Sequence, residues 1–153
     1  MNSDELSLLT DDKIDYESLS EDVLKELALG DELFIATSAL VELRMRKSSI
    51  AAPTAWEILS TSHGDRYLQA AALSVLFGMN QEQAINFMSQ QVQFVTPYIL
   101  NTMMELMIEN ESDFKSEPGL SIVRVIKERL KKCDDKLKFP EPEVKDRFLK
   151  IYD

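Results

Sequence analysis

Apolar residues in this chain recur at intervals of three and four, between residues that start and stop helices. No other feature constrains the fold as strongly. Leu33, Ala36, Leu40 and Leu43 share one helical face. Leu120, Val123, Ile126, Leu130, Cys133 and Leu137 keep the same rhythm over five steps. No segment sustains apolar–polar alternation, and the β-branched run Phe94-Val95-Thr96 meets Pro97 at once. The prediction is an all-α chain.

Cap signals place the elements. Ser20 caps a helix over 21–29, with Leu19 stapled onto Leu24 and Gly30 closing it in the left-handed region. A helix over 32–46 adds Phe34, Val41 and Met45 to its apolar arc, which predicts burial between neighbours on both sides. Ser49 and Pro53 open a helix over 51–61, and another over 65–77 stops at Gly78. Further helices follow over 81–91, 97–110 (opened by Thr96-Pro97), 118–136 and 143–151. Cys133 is expected to be buried on the stripe of the helix over 118–136. The domain reading is an acidic, partly irregular leader over 1–19, a helical repeat domain over 20–139, and a C-terminal helix over 140–153 packed on it.

The helices also repeat weakly. Ala39-Leu40 with Leu43 returns as Ala72-Leu73 with Leu76, 33 residues later. The following helices correspond through Trp56, Ile58, Leu59 and Ile85, Phe87, Met88. This pairs each helix with the one after it. A helical pair cannot bury both faces alone, so it stacks on copies of itself. On the stretches Ile35–Leu43 and Tyr67–Leu76 the chain resembles a HEAT-like α-solenoid over roughly 32–136. The resemblance implies antiparallel helical hairpins stacked as a short solenoid, a concave binding surface and no chemistry of its own.

Charge narrows the function classes. Residues 1–32 hold eleven acids and two bases, a net of −9 on a chain of net −10. Such a chain repels phosphates, which argues against nucleic acid and for a basic protein partner. One Cys and one His exclude a disulfide framework and a His-pair metal site. The acidic start and the short apolar runs predict a cytoplasmic protein with no membrane span.

Candidate chemistry is thin. Asp11, Asp12, Asp15 and Glu17 cluster without the central Gly of a calcium loop, so no metal is expected. Ser62-His63-Gly64-Asp65 reads as a turn with a helix cap rather than a triad. The bases of the 118–136 helix are interleaved with acids and read as a solvated face. Met79, Met88, Met103, Met104 and Met107 read as core filling. The expectation is a non-enzymatic binding module without cofactor. Its partner-binding residues are Asp11, Asp12, Asp15, Tyr16, Glu17, Glu21, Asp22, Asp31, Glu32 and Phe34. In size, acidity and helicity the chain also resembles immunity proteins of bacterial toxin systems, including contact-dependent growth inhibition. That resemblance implies occlusion of a basic toxin, such as a nuclease. The alternative is an adaptor or assembly factor that binds on its helical face, with the leader as a solubility tail.

Overall fold

The computed structural model describes residues 2–6, 8–134 and 136–153. All regular secondary structure among the described residues is helical, with no strand. Its α-helices are α1 (Ser3–Leu6), α2 (Glu21–Ala28), α3 (Leu33–Met45), α4 (Ala51–Ser60), α5 (Arg66–Met79), α6 (Gln81–Gln91), α7 (Pro97–Glu109), α8 (Gly119–Lys131) and α9 (Pro142–Ile151). Two compact units divide the chain, Met1–Gln81 and Glu82–Asp153. The acidic leader falls in the first unit and residues 140–153 in the second.

In the first unit α2 packs on α3 and α4 packs on α5, each pair a hairpin, and α3 packs against α5. Thus α3 and α5 are each paired most closely with the helix before them, a register shifted from the expected pairing. The correspondence at 33 residues does hold in burial. Ile35, Ala39, Leu40 and Leu43 on α3 match Leu68, Ala72, Leu73 and Leu76 on α5, and all eight are buried. Each Leu or Ile so placed contributes about 1.5–3 kcal/mol of burial.

The wide arc of α3 is not sandwiched. Phe34 is 77% exposed and Met45 71%, with Val41 partly exposed between them. Small Ala36 and Ala39 let α3 approach its neighbours on one side only, and the larger residues are left on the open side.

The caps follow local chemistry. Ser20 accepts from the Val23 amide at 3.3 Å, as expected. Gly30 does not take a positive φ; Lys47 and Ser62 do, at 54° and 53°. Each closes its helix with a paired motif. Ser48 N–H donates to the Leu43 carbonyl and Lys47 N–H to that of Arg44, while His63 N–H donates to Ile58 and Ser62 N–H to Leu59. Ser48 rather than Ser49 accepts from the backbone ahead of α4, taking the Ile50 amide at 3.3 Å. The α5 helix runs through Gly78, whose bare face lies against the Arg44 guanidinium.

The leader is a packed element. Its turns at Asp11–Lys13 and Tyr16–Ser18 lie on α3, and α1 lies on α2. Leu6 and Ile14 are buried. Arg46 of α3 holds it in place, donating to the Tyr16 carbonyl at 2.9 Å and the Glu17 carbonyl at 3.1 Å.

In the second unit α9 packs on α7, and the 3-10 turn Glu111–Phe114 touches both α7 and α8. Phe114 and Phe148 are fully buried, as are Met88, Met103, Met104 and Met107. Tyr152 donates its hydroxyl to the Met107 carbonyl at 2.5 Å. Burial, helped by Glu111 and Asp113, pushes that phenol up to about 12. The α8 helix ends at Lys131, five residues short of expectation, so Cys133 lies beyond it and is half-buried. Leu120 and Leu137 are exposed, and the buried stripe is Ile122, Val123, Ile126 and Leu130.

Candidate functional site

The turn that enters α3 and the turn that enters α5 are built alike. Each ends in a carboxylate that caps its helix: Glu32 accepts from the Phe34 amide at 3.2 Å, Asp65 from the Leu68 amide at 2.9 Å. An acid suits a helix N-terminus, where it meets unpaired amides and the positive dipole end. Each cap is followed two residues later by an aromatic, Phe34 or Tyr67. These pairs are 33 residues apart, the same offset as the buried leucines. The turns are joined by His63, whose Nε2 lies 2.9 Å from the Gly30 carbonyl, again one repeat away. A carbonyl only accepts, so Nε2 is the protonated nitrogen. Gly64 is required between them. Its φ is +75°, and a Cβ would come within 2.6 Å of Leu68 Cδ2 and 3.2 Å of Leu33 Cδ2.

The two turns enclose an open groove of about 650 Å³, lined by Asp31, Glu32, Leu33, Phe34, Thr37, Asp65 and Tyr67. Tyr67 is 52% exposed. The Arg66 guanidinium lies 5.1 Å from its ring centre and donates to its hydroxyl at 3.1 Å. The groove thus has two exposed aromatic rings and a rim of three carboxylates. Carboxylates beside exposed rings are chemically suited to cationic and apolar groups.

The structure brings Asp31, Glu32 and Phe34 of the expected site together in this groove. Asp65 and Tyr67 join them and were missed by the sequence reading. The 33-residue offset, used there only for alanines and leucines, would have found both. Tyr16 is engaged internally: its hydroxyl donates to the Asp11 carboxylate. Burial, that carboxylate and Glu32 hold its phenol above the ordinary range, opposed by a hydrogen bond with Ser38. Asp12 accepts from the Thr10 hydroxyl at 2.5 Å. Asp15, Glu17, Glu21 and Asp22 stand exposed along the leader and the first turn of α2. Among the described residues no group of three or more His, Cys, Asp or Glu side chains is placed to hold a metal. No helix among them is long and apolar enough to cross a membrane. Ser62, His63 and Asp65 read as a turn and not a relay: an Asp65 oxygen caps α5 through the Leu68 amide, and His63 Nε2 meets the Gly30 carbonyl.

Fold and site together define an all-helical chain with an acid-rimmed aromatic groove at the entry of two repeated helices. No protein-family model matches the chain, and neither does any curated protein or solved structure.

Proposed function

We propose that the chain is a non-enzymatic protein-binding module that sequesters a basic protein partner. In its sharpest form it is an immunity protein that blocks a toxin, a nuclease being the chemistry its charge best opposes. The observation that carries this reading is the repeated turn, which sets two capping carboxylates beside two exposed aromatics. Phe34 and Tyr67 supply the desolvated anchors, and Asp31, Glu32 and Asp65 face lysines or arginines of the partner. The exposed acids of the leader extend the negative surface beyond the groove. The mechanism is occlusion: these carboxylates occupy the cationic site where a nuclease would hold phosphates. The hairpin packing of α2–α3 and α4–α5 and the 33-residue correspondence support a HEAT-like arrangement for the first unit. The exposed line Phe34, Val41 and Met45 supports the adaptor alternative, in which an apolar helix lies along α3.

The test is affinity capture from the source cell at low and high salt, with wild type and Phe34→Ala/Tyr67→Ala as baits. A basic protein held by wild type at low salt and lost by the double variant is the expected result. If no basic protein is enriched, or both baits hold it equally, the reading fails.

A further inference from the structure

The second unit carries a groove of opposite character. One wall is the turn after α6, with Gln93 and Phe94; the other is α8 with its C-cap, bearing Arg124, Val125, Arg129 and Lys132. They enclose about 410 Å³. Residues 119–138 hold seven bases and three acids, a net of +4 on a chain of net −10. In the lining itself Arg124, Arg129 and Lys132 stand against Glu128 alone, so the groove is locally basic on an acidic chain.

Its parts are held in place. Arg129 Nη1 donates to the Val92 carbonyl at 2.9 Å, which ties α8 to the wall that bears Phe94. The Phe94 turn is closed by its own amide on the Gln91 carbonyl at 2.8 Å. The ring is nonetheless 75% exposed, so its burial is still to be gained. Glu128, the one acid in the lining, lies 3.8 Å from Lys131. Among the described residues neither Arg124 nor Lys132 has an ion-pair partner within 4.0 Å.

We infer that this groove docks an acidic peptide segment of a partner protein. Carboxylates of the segment meet Arg124, Arg129 and Lys132, and one of its apolar side chains covers Phe94. The planar guanidinium fork matches a carboxylate, and a single exposed ring suits a single apolar anchor. Single-stranded nucleic acid also offers anions and flat rings. It needs a platform for successive bases, however, and the groove has one ring. A long polyanion also meets the repulsion of the rest of the chain, which a short segment in the groove escapes through screening. This site is independent of the acidic groove in the first unit and does not rest on the function proposed for it.

The experiment is calorimetric titration of the full chain with a short peptide of glutamates flanking one tryptophan. Roughly micromolar binding is expected. Arg124→Glu with Lys132→Glu weakens it by about tenfold or more, and Phe94→Ala by several-fold. Phe34→Ala leaves it unchanged, and high salt removes it. All the altered side chains are exposed, and circular dichroism checks that the helices persist; Arg124→Gln alone, expected to weaken binding several-fold, serves if the double variant loses them. The inference is overturned if the wild type does not bind the peptide. It is equally overturned if the α8 variants bind as wild type does, or if a single-stranded oligonucleotide binds more tightly than the peptide.

Discussion

At single positions the structure shows where stability is left unrealised. Ser62 holds φ at 53° to close α4, a conformation that disfavours any residue with a Cβ. Ser62→Gly removes that strain but loosens the unfolded chain, so a net gain of about 0.5–1 kcal/mol is expected. A shifted urea midpoint at unchanged slope would show it. Thr54 is fully buried, and its hydroxyl has no hydrogen-bond partner among the described residues. Thr54→Val keeps the shape without the buried hydroxyl and should stabilise by about 1 kcal/mol; a loss of stability would mean the hydroxyl is satisfied. Glu105 links stability to pH on the acidic side. Desolvation, Glu141 and Glu109 raise its carboxyl above the ordinary range, while Arg147 and the Asn101 amide oppose them. A raised native value means that the folded state holds its proton longer than the unfolded chain. Stability therefore falls as pH rises from the ordinary carboxylate value through the native one. Glu105→Gln keeps an acceptor for Asn101, whose Nδ2 donates to Glu105 at 2.7 Å. The variant should match wild type near pH 4 and exceed it at pH 7, by less than about 1 kcal/mol because solvent screens the group. Equal stability at both pH values would contradict this.

Among the elements, glycine has two different roles. Gly78 sits inside α5, where a Cβ would meet the Arg44 guanidinium at 3.0 Å. Arg44 is an exposed, flexible side chain and can shift. Gly78→Ala should therefore stabilise by up to about 1 kcal/mol through helix propensity. Gly119 opens α8 against the Phe114 backbone, and a Cβ there would lie 2.4 Å from the Phe114 Cα. Backbone cannot give way so easily, and Gly119→Ala should destabilise by about 2 kcal/mol or more. Thermal melts of the two variants should move in opposite directions. The same contrast explains what was legible beforehand. Periodicity and side-chain caps are local, so the ends marked by Ser20 and by Thr96-Pro97 could be read directly. Gly78 read as a helix stop because its reason for being glycine, Arg44, is more than 30 residues away. The partner of α5 was misread for a similar reason, since apolar spacing says that a helix has a buried face but not what covers it. Within the groove, Asp31, Glu32 and Phe34 were legible from the acidic run and the aromatic that follows it on one segment, although the exposure of Phe34 was not. Asp65 and Tyr67 arrive from the next repeat, and only tertiary packing sets them alongside.

Across the whole molecule the charge is divided unequally. Residues 1–81 carry fourteen acids and six bases, a net of −8, and residues 82–153 carry thirteen acids and eleven bases, a net of −2. The leader that holds most of this excess is packed onto α2 and α3, so its charges are displayed on a fixed surface. Field and contact should then act on different rate constants. Long-range charge steers encounter, whereas a desolvated anchor determines how long the complex lasts. Glu17, Glu21 and Asp22 are exposed, and among the described residues none of them has an ion-pair partner within 4.0 Å. Neutralising them as Glu17→Gln, Glu21→Gln and Asp22→Asn should slow association with the captured basic partner several-fold at low salt, with little change in dissociation. Phe34→Ala should do the reverse, speeding dissociation about tenfold or more while association keeps its salt dependence. Stopped-flow association and chase experiments on the two variants separate these effects. If the triple variant alters dissociation alone, or Phe34→Ala alters association alone, the division of labour between leader and groove is wrong.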